Sequence, residues 1–281
     1  MFEIIKQIYL NSIFYDKKIS PKTLYELEYK PSSYLLSSIV KIKTKKFNID
    51  NFSFNNFWTD KELNQKQLQK LNNFYWLFSL DLKSSNKSVQ TVIKNWIEKN
   101  HKYNSKNWNF EVTSKRIISW LSNTALTYDN AENHYQKDYS VIIHKQASHL
   151  INQIDKESKL NNKIRGVAAI ILVGLAYKNE KNFTIKGLEN LKKIIRYTID
   201  DNGFPKSRNI KSSVFFLKYL ILIREWFKES QSEIPNFINE SIFNLGQSYA
   251  FFWDNLKFDP LFNGNNNSDN QEFDIYLKRL G

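Results

Sequence analysis

The chain has 281 residues and no cysteine, and its 41 Lys and Arg against 28 Asp and Glu give a formal charge of +13. That length suffices for the core of an enzyme, as one large domain or two small ones, while the lack of thiols excludes disulfide frameworks, thiolate metal sites and cysteine nucleophiles. The positive excess fits an anionic partner such as nucleic acid, a membrane surface or an acidic polysaccharide, but lysines spread through Lys41–Lys46, Lys61–Lys70 and Lys178–Lys193 also fit an evenly solvated surface.

At the N-terminus, Glu3 and Lys6 interrupt the apolar residues of Met1–Leu10, so the continuous core of a signal peptide is missing. Export is not indicated, and the compartment, cytoplasmic or periplasmic, stays open. Phe2, Ile5, Ile8, Tyr9 and Ile13 recur at helical spacing. Ser20-Pro21 predicts the start of a second short helix, a capping residue followed by proline. From Lys43 to Asp60, aromatic residues alternate with Asn, Ser and Asp without a sustained period, which predicts an aromatic-anchored loop.

After Asp60, a candidate cap, Leu63, Leu68, Leu71, Tyr75, Phe78 and Leu82 predict one long helix. Val89, Val92, Ile93, Trp96 and Ile97 fit the i, i+3, i+4, i+7, i+8 pattern of the next. Then comes Trp108 to Trp120, where Thr113 or Ser114 is placed to cap a helix. Under that capping Arg116 lies in the first turn, where the dipole disfavours a cation, so it implies a specific anionic partner or an ion pair to a neighbouring helix.

Further helices are predicted at 140–157, 162–177, 184–198, 211–227 and 235–252, with short polar connections and no strand series. The expectation is an all-α fold of antiparallel helix pairs forming a bundle, a solenoid or a closed toroid. The longest apolar run, Gly166 to Tyr177, is far shorter than the roughly 20 residues of a bilayer span, so it predicts a buried helix and no membrane span. The segment Ile199 to Asn209 carries acids, bases and a Gly203 suited to ending the preceding helix.

Three blocks in order resemble the alphaproteobacterial branch of the heparinase II/III-like family of polysaccharide lyases. Trp108 to Trp120 is close to W-x-x-x-V-T-x-x-R-x-x-S-W, Asp201 to Asn209 with the helix Phe215–Arg224 is similar to D-G-G-H-x-S-R-N and its leucine-rich helix, and Leu261-Phe-Asn-Gly264 resembles an F-N-G at the edge of a following domain. The likeness spans roughly residues 60 to 281. It implies an incomplete (α/α) toroid at 60–256, preceded by a helical and loop wrap at 1–59. Residues 257–281 would be a linker to a C-terminal β-sandwich domain that is absent here. The implied chemistry is β-elimination at a uronic acid, in which a base removes the C5 proton while the adjacent carboxylate is neutralised.

The resemblance implies Asn161 or Asn162 as carboxylate neutraliser. Arg116 and Arg208 are candidates for carboxylate or sulfate binding, and Trp108 and His149 for further substrate contact. The segment Gln146-Ala-Ser-His-Leu150 is similar to the family's Q-A-x-H-L, where a packed, hydrogen-bonded histidine is expected. The family's D-G-G-H stands here as Asp201-Asn-Gly-Phe204, and its following Tyr-His is replaced near Ile210–Ser213 by residues that are not bases, so no base is assigned.

His144 and His149 are five apart and do not share a helix face, so no metal is expected. No phosphate loop, G-x-S-x-G or nucleic-acid motif occurs, and neither a cofactor nor a nucleic-acid partner is expected. Asp200, Asp201, Asp254 and Asp259 keep a glycoside hydrolase open, and a non-catalytic glycan-binding or scaffold module is the remaining alternative. Trp76, Trp108, Trp120 and Trp226 suit a helical core better than a sugar platform.

Overall fold

The computed structural model describes residues 2–40, 63–80, 85–177 and 181–256. The expected loop at Lys43–Asp60, the cap at Asp60 and the tail from 257 lie outside them. Within the described residues the chain is all helical: α1 (Phe2–Leu10), α2 (Ile13–Ile19), α3 (Ser33–Val40), α4 (Gln65–Asn72), α5 (Asn86–Asn100), α6 (Phe110–Leu121), α7 (Thr124–Thr127), α8 (Asn133–Gln153), α9 (Leu160–Ala176), α10 (Lys181–Thr198), α11 (Ile210–Glu229) and α12 (Asn236–Leu256). None of these helices is long and apolar enough to cross a membrane.

The architecture is an incomplete (α/α) toroid. Helices α6, α9 and α11 pack side by side as an inner layer, and α8, α10 and α12 follow them as outer partners. The inner helix α9 is buried along most of its length, which is why its sequence is an apolar run without a polar face. A Cβ on Gly174 of α9 would meet Thr184, and one on Gly187 would meet Ile171, so α9 and α10 run antiparallel. The inner neighbours α9 and α11 run parallel: Leu160 shares a crevice with Ser212 and Ser213, while Arg165, farther along α9, meets Tyr219, farther along α11. The ring of Phe110, at the start of α6, lies against Gly166 of α9, so the starts of α6, α9 and α11 gather at one end.

Several local expectations need correction. Ser20-Pro21 ends a helix instead of starting one: the Ser20 backbone N–H and hydroxyl both donate to the Asp16 carbonyl and close α2. The helix predicted through Leu63–Leu82 stops at Asn72. Its cap is Asn64, in a reciprocal capping box with Gln67. Asn73 Oδ1 accepts from the Tyr75 N–H at 2.8 Å, Phe74 takes φ 58°, and a 3-10 turn follows at Tyr75–Ser79. The side-chain bonds of Asn73 and of Asn72, whose amide donates to the Leu68 carbonyl at 2.8 Å, therefore outcompete a hydrophobic period that runs on past them.

The cap of α6 is Asn109, whose side chain accepts from the Glu111 N–H, and not Thr113 or Ser114, both of which lie inside the helix. Arg116 therefore sits beyond the first turn, out of the dipole's main reach. The N-terminal helices are fastened to this frame by polar bonds. Tyr15 Oη lies 2.7 Å from His149 Nδ1, Lys145 pairs with Asp16 and donates to the His101 carbonyl at 2.7 Å, and the Glu28 N–H donates to the Ala176 carbonyl at 2.9 Å.

Candidate functional site

The sequence-marked residues divide into an interior set and a surface set. Arg116 is fully buried. Its guanidinium donates to the Asn72 carbonyl at 2.8 Å, to Gln146 Oε1 at 3.1 Å and to Thr113 Oγ1 at 3.3 Å, and lies 4.1 Å from the Trp96 ring centroid. Asn72 is the last residue of α4, so the cation satisfies an orphan carbonyl at the negative end of a helix dipole. Among the described residues no carboxylate pairs with it. The anion-like partner anticipated for Arg116 is thus a helix C-terminus in the core, not a surface that a polysaccharide reaches.

Trp108 and His149 are interior as well, at 1% and 3% exposure. The Trp108 indole N–H donates to the Asn100 carbonyl at 3.1 Å, and its ring packs edge-on to His149. Burial lowers the His149 pKa from 6.5 to about 4, helped by the charges of Arg116, Lys156 and Lys6 and opposed by a hydrogen bond to the Trp108 backbone. His149 is therefore neutral at pH 7, with Nδ1 free to accept from the Tyr15 hydroxyl. His144 is also buried beside Tyr177, its Nδ1 bonded to the Ser140 carbonyl.

The surface set lies at the end where α6, α9 and α11 begin. There Glu111, Lys159, Leu160, Asn161, Asn162 and Arg165 line an open cleft of about 450 Å³. Arg165, absent from the sequence-marked residues, is its hub. The guanidinium donates through Nε to Tyr219 Oη at 3.0 Å and through Nη1 to Asn162 Oδ1 at 3.2 Å, and Nη1 lies 3.5 Å from Glu111 Oε1. The rings of Phe215 and Tyr219 flank it, with centroids 5.4 and 5.9 Å from Cζ. Its spacing from Asn162 is i, i+3 on one helix, which puts both on one face.

Asn161 and Asn162 differ in what they have left to offer. The Asn162 amide donates to Glu157 Oε2 at 3.3 Å while its oxygen accepts from Arg165, so both ends are used. Asn161 is exposed on the cleft wall. Glu157 also accepts from the Lys159 backbone N–H at 2.8 Å, which tidies the start of α9. Glu111 pairs with Lys115 at 2.5 Å as well as with Arg165. Burial pushes the Glu111 carboxyl upward, but Lys115, Arg165 and Lys159 together outweigh it and hold the pKa below the ordinary carboxylate range.

Arg208 stands apart on the loop before α11. It adopts φ 57°, an uncommon value for a side chain with a Cβ, and pairs with Asp200 Oδ2 at 3.1 Å. Asp200 Oδ1 accepts from the Asn202 and Phe204 N–H groups, and a bridge between Ile199 and Pro205 closes the loop. Gly203, at φ 78°, lies where a Cβ would strike the Asn244 carbonyl at 2.4 Å, so the loop can rest on α12 only with glycine there. Leu160 of α9 contributes to a neighbouring crevice with Ser207, Ser212 and Ser213, which places this loop beside the cleft. None of Trp76, Trp108, Trp120 and Trp226 lines the cleft. Among the described residues no group of three or more His, Asp or Glu gathers as a metal site would require.

No family model matches the sequence, and no curated protein does. Solved structures do match in fold. The chain is similar to heparan sulfate lyase HepC from Pedobacter heparinus, at TM-score 0.62 and 12% identity over 95% of this chain and 48% of that one. A mutant of the same lyase gives TM-score 0.64 at 12% identity, with the same coverage. Heparinase III gives 0.50 at 16% identity, over 84% of this chain and 42% of that one. The chain thus spans about half the length of the lyases it matches.

Proposed function

We propose that this chain is the helical part of a polysaccharide lyase of the heparinase II/III-like family, in its alphaproteobacterial branch. On this reading it binds an acidic, uronate-containing polysaccharide at the cleft where α6, α9 and α11 begin. Residues 1–59 form a wrap, 60–256 the toroid and 257–281 a linker to a β-sandwich domain that completes the enzyme. The observation that carries the reading is the convergence of Arg165, Lys159, Asn161 and Asn162 on one open cleft, within a fold shared with a heparan sulfate lyase over 95% of the chain.

Elimination at a uronate requires the sugar carboxylate to be neutralised so that the C5 proton becomes acidic enough for a base to remove. Asn161 presents an uncommitted amide for that role, and Asn162 holds Arg165 in place. Arg165 and Lys159 supply positive charge to the carboxylate, and Arg208 extends the cationic rim along the adjoining loop. Arg116, Trp108 and His149 act from behind, fixing α4, α6 and α8 so that the cleft keeps its shape.

A second reading, a glycan-binding or scaffold module without catalysis, is favoured by the absence of Tyr or His from Ile210 to Ser213. Incubating the full-length protein with uronate glycans and following ultraviolet absorbance of the unsaturated product separates the two. A rise in absorbance is the expected result. Binding without product supports the module, new reducing ends without absorbance indicate hydrolysis, and absence of binding overturns both readings.

A further inference from the structure

The cleft already contains a carboxylate. Glu111 lies on its wall, paired with Lys115 at 2.5 Å and with Arg165 at 3.5 Å, and the charge of Lys159 acts on it as well. Lys115 and Arg165 thus both face one internal anion, Arg165 while it is also bonded to Tyr219 and Asn162. The other nearby carboxylate, Glu157, is occupied differently: it holds the Lys159 backbone N–H and the Asn162 amide. Glu111 is also only loosely enclosed, with its side chain 36% exposed.

A second carboxylate arriving in this cleft meets Arg165 and Lys159 on its wall and, a few ångströms away, a like charge. It gains the cations in full only if Glu111 swings out to water, which a long, partly exposed side chain can do without leaving its helix. We infer that Glu111 occupies the seat of the ligand's carboxylate and acts as a specificity-determining gate, yielding to a uronate while giving a neutral sugar no charge with which to displace it. This inference rests on the proposed binding of uronate at the cleft and adds what the site must exchange to achieve it.

Neutralising Glu111 removes the competitor and frees the edge of Arg165 that faces it. The test is calorimetric titration of the wild-type chain, Glu111→Gln and Glu111→Ala with a short oligouronate and with the same oligosaccharide after reduction of its carboxyl groups. Both variants are expected to bind the oligouronate about fivefold more tightly, the scale of one partly exposed ion pair, and to show no gain toward the reduced sugar. Wild-type binding with unchanged or weaker affinity in both variants overturns the inference and leaves the binding reading intact. An equal gain toward the reduced sugar also overturns it, because charge would not be the cause. Binding by none of the three proteins overturns the inference and the reading together.

Discussion

Arg116 and Arg165 are both arginines of inner-layer helices, and both lie against aromatic rings, yet they do opposite things. Arg116 spends its charge inside, on the Asn72 carbonyl, Gln146, Thr113 and the Trp96 ring, with no part exposed. Arg165 also has fixed partners in Tyr219 and Asn162, but one edge reaches a cleft that it shares with Glu111, Lys159 and Asn161. A cation's chemistry is set by what remains after its own fold has been served. For Arg116 nothing remains, and for Arg165 the remainder faces solvent.

The largest expected effect separates the two by stability. Arg116→Ala strips the partners from the Asn72 carbonyl and Gln146 Oε1 and opens a void beside Trp96, so it should cost about 4 kcal/mol in a urea melt. Any fraction that folds with the cleft intact should still bind glycan, because Arg116 does not line it. A loss below about 1 kcal/mol would put Arg116 in the class of surface residues and break the contrast.

The interior has a pH signature at higher pH than the depressed carboxyl of Glu111 gives the cleft. The folded-state pKa of His149 is depressed from 6.5 to about 4, so the folded chain binds fewer protons than the unfolded one across that window. Its contribution is fully present above pH 6.5 and fades as pH falls toward 4, amounting to about 3 kcal/mol. The buried His144 is shifted in the same direction and adds to the loss. Urea melts between pH 7 and 4 should show this slope, and His149→Asn should flatten it even if the variant is less stable at neutral pH.

Substitution in the cleft should act on binding before stability. Lys159→Ala is expected to weaken oligouronate binding about threefold and to reduce its salt dependence, as removal of an exposed charge does. Salt titrations of the variant and wild type provide the measurement, and identical slopes would remove Lys159 from the site.

Much of the frame was legible because burial imposes periodicity. The face of α5 reads directly from Val89, Val92, Ile93, Trp96 and Ile97, all of which are buried, and the apolar run of α9 reads as an inner helix because it is one. Helix ends were less legible, since Asn109, Thr113 and Ser114 are all chemically able to cap and only packing selects Asn109. The break at Asn72–Phe74 depends on side-chain bonds that compete with a good hydrophobic pattern.

For the cleft, the asparagines were reached through family resemblance. Arg165 flanks an apolar run, where a cation reads as part of its solvated border. Its i, i+3 relation to Asn162 was the available signal. Glu111 and Tyr219 join it only through the packing of α6 and α11 against α9, which no local pattern encodes.

The most direct measurement is titration of the wild-type chain and Arg165→Ala with an oligouronate at low salt, with thermal melts run alongside. Saturable wild-type binding that weakens about tenfold in the variant, while the variant remains folded, is the expected result. Equal affinity in the two folded proteins would contradict a uronate-binding cleft at the start of α9.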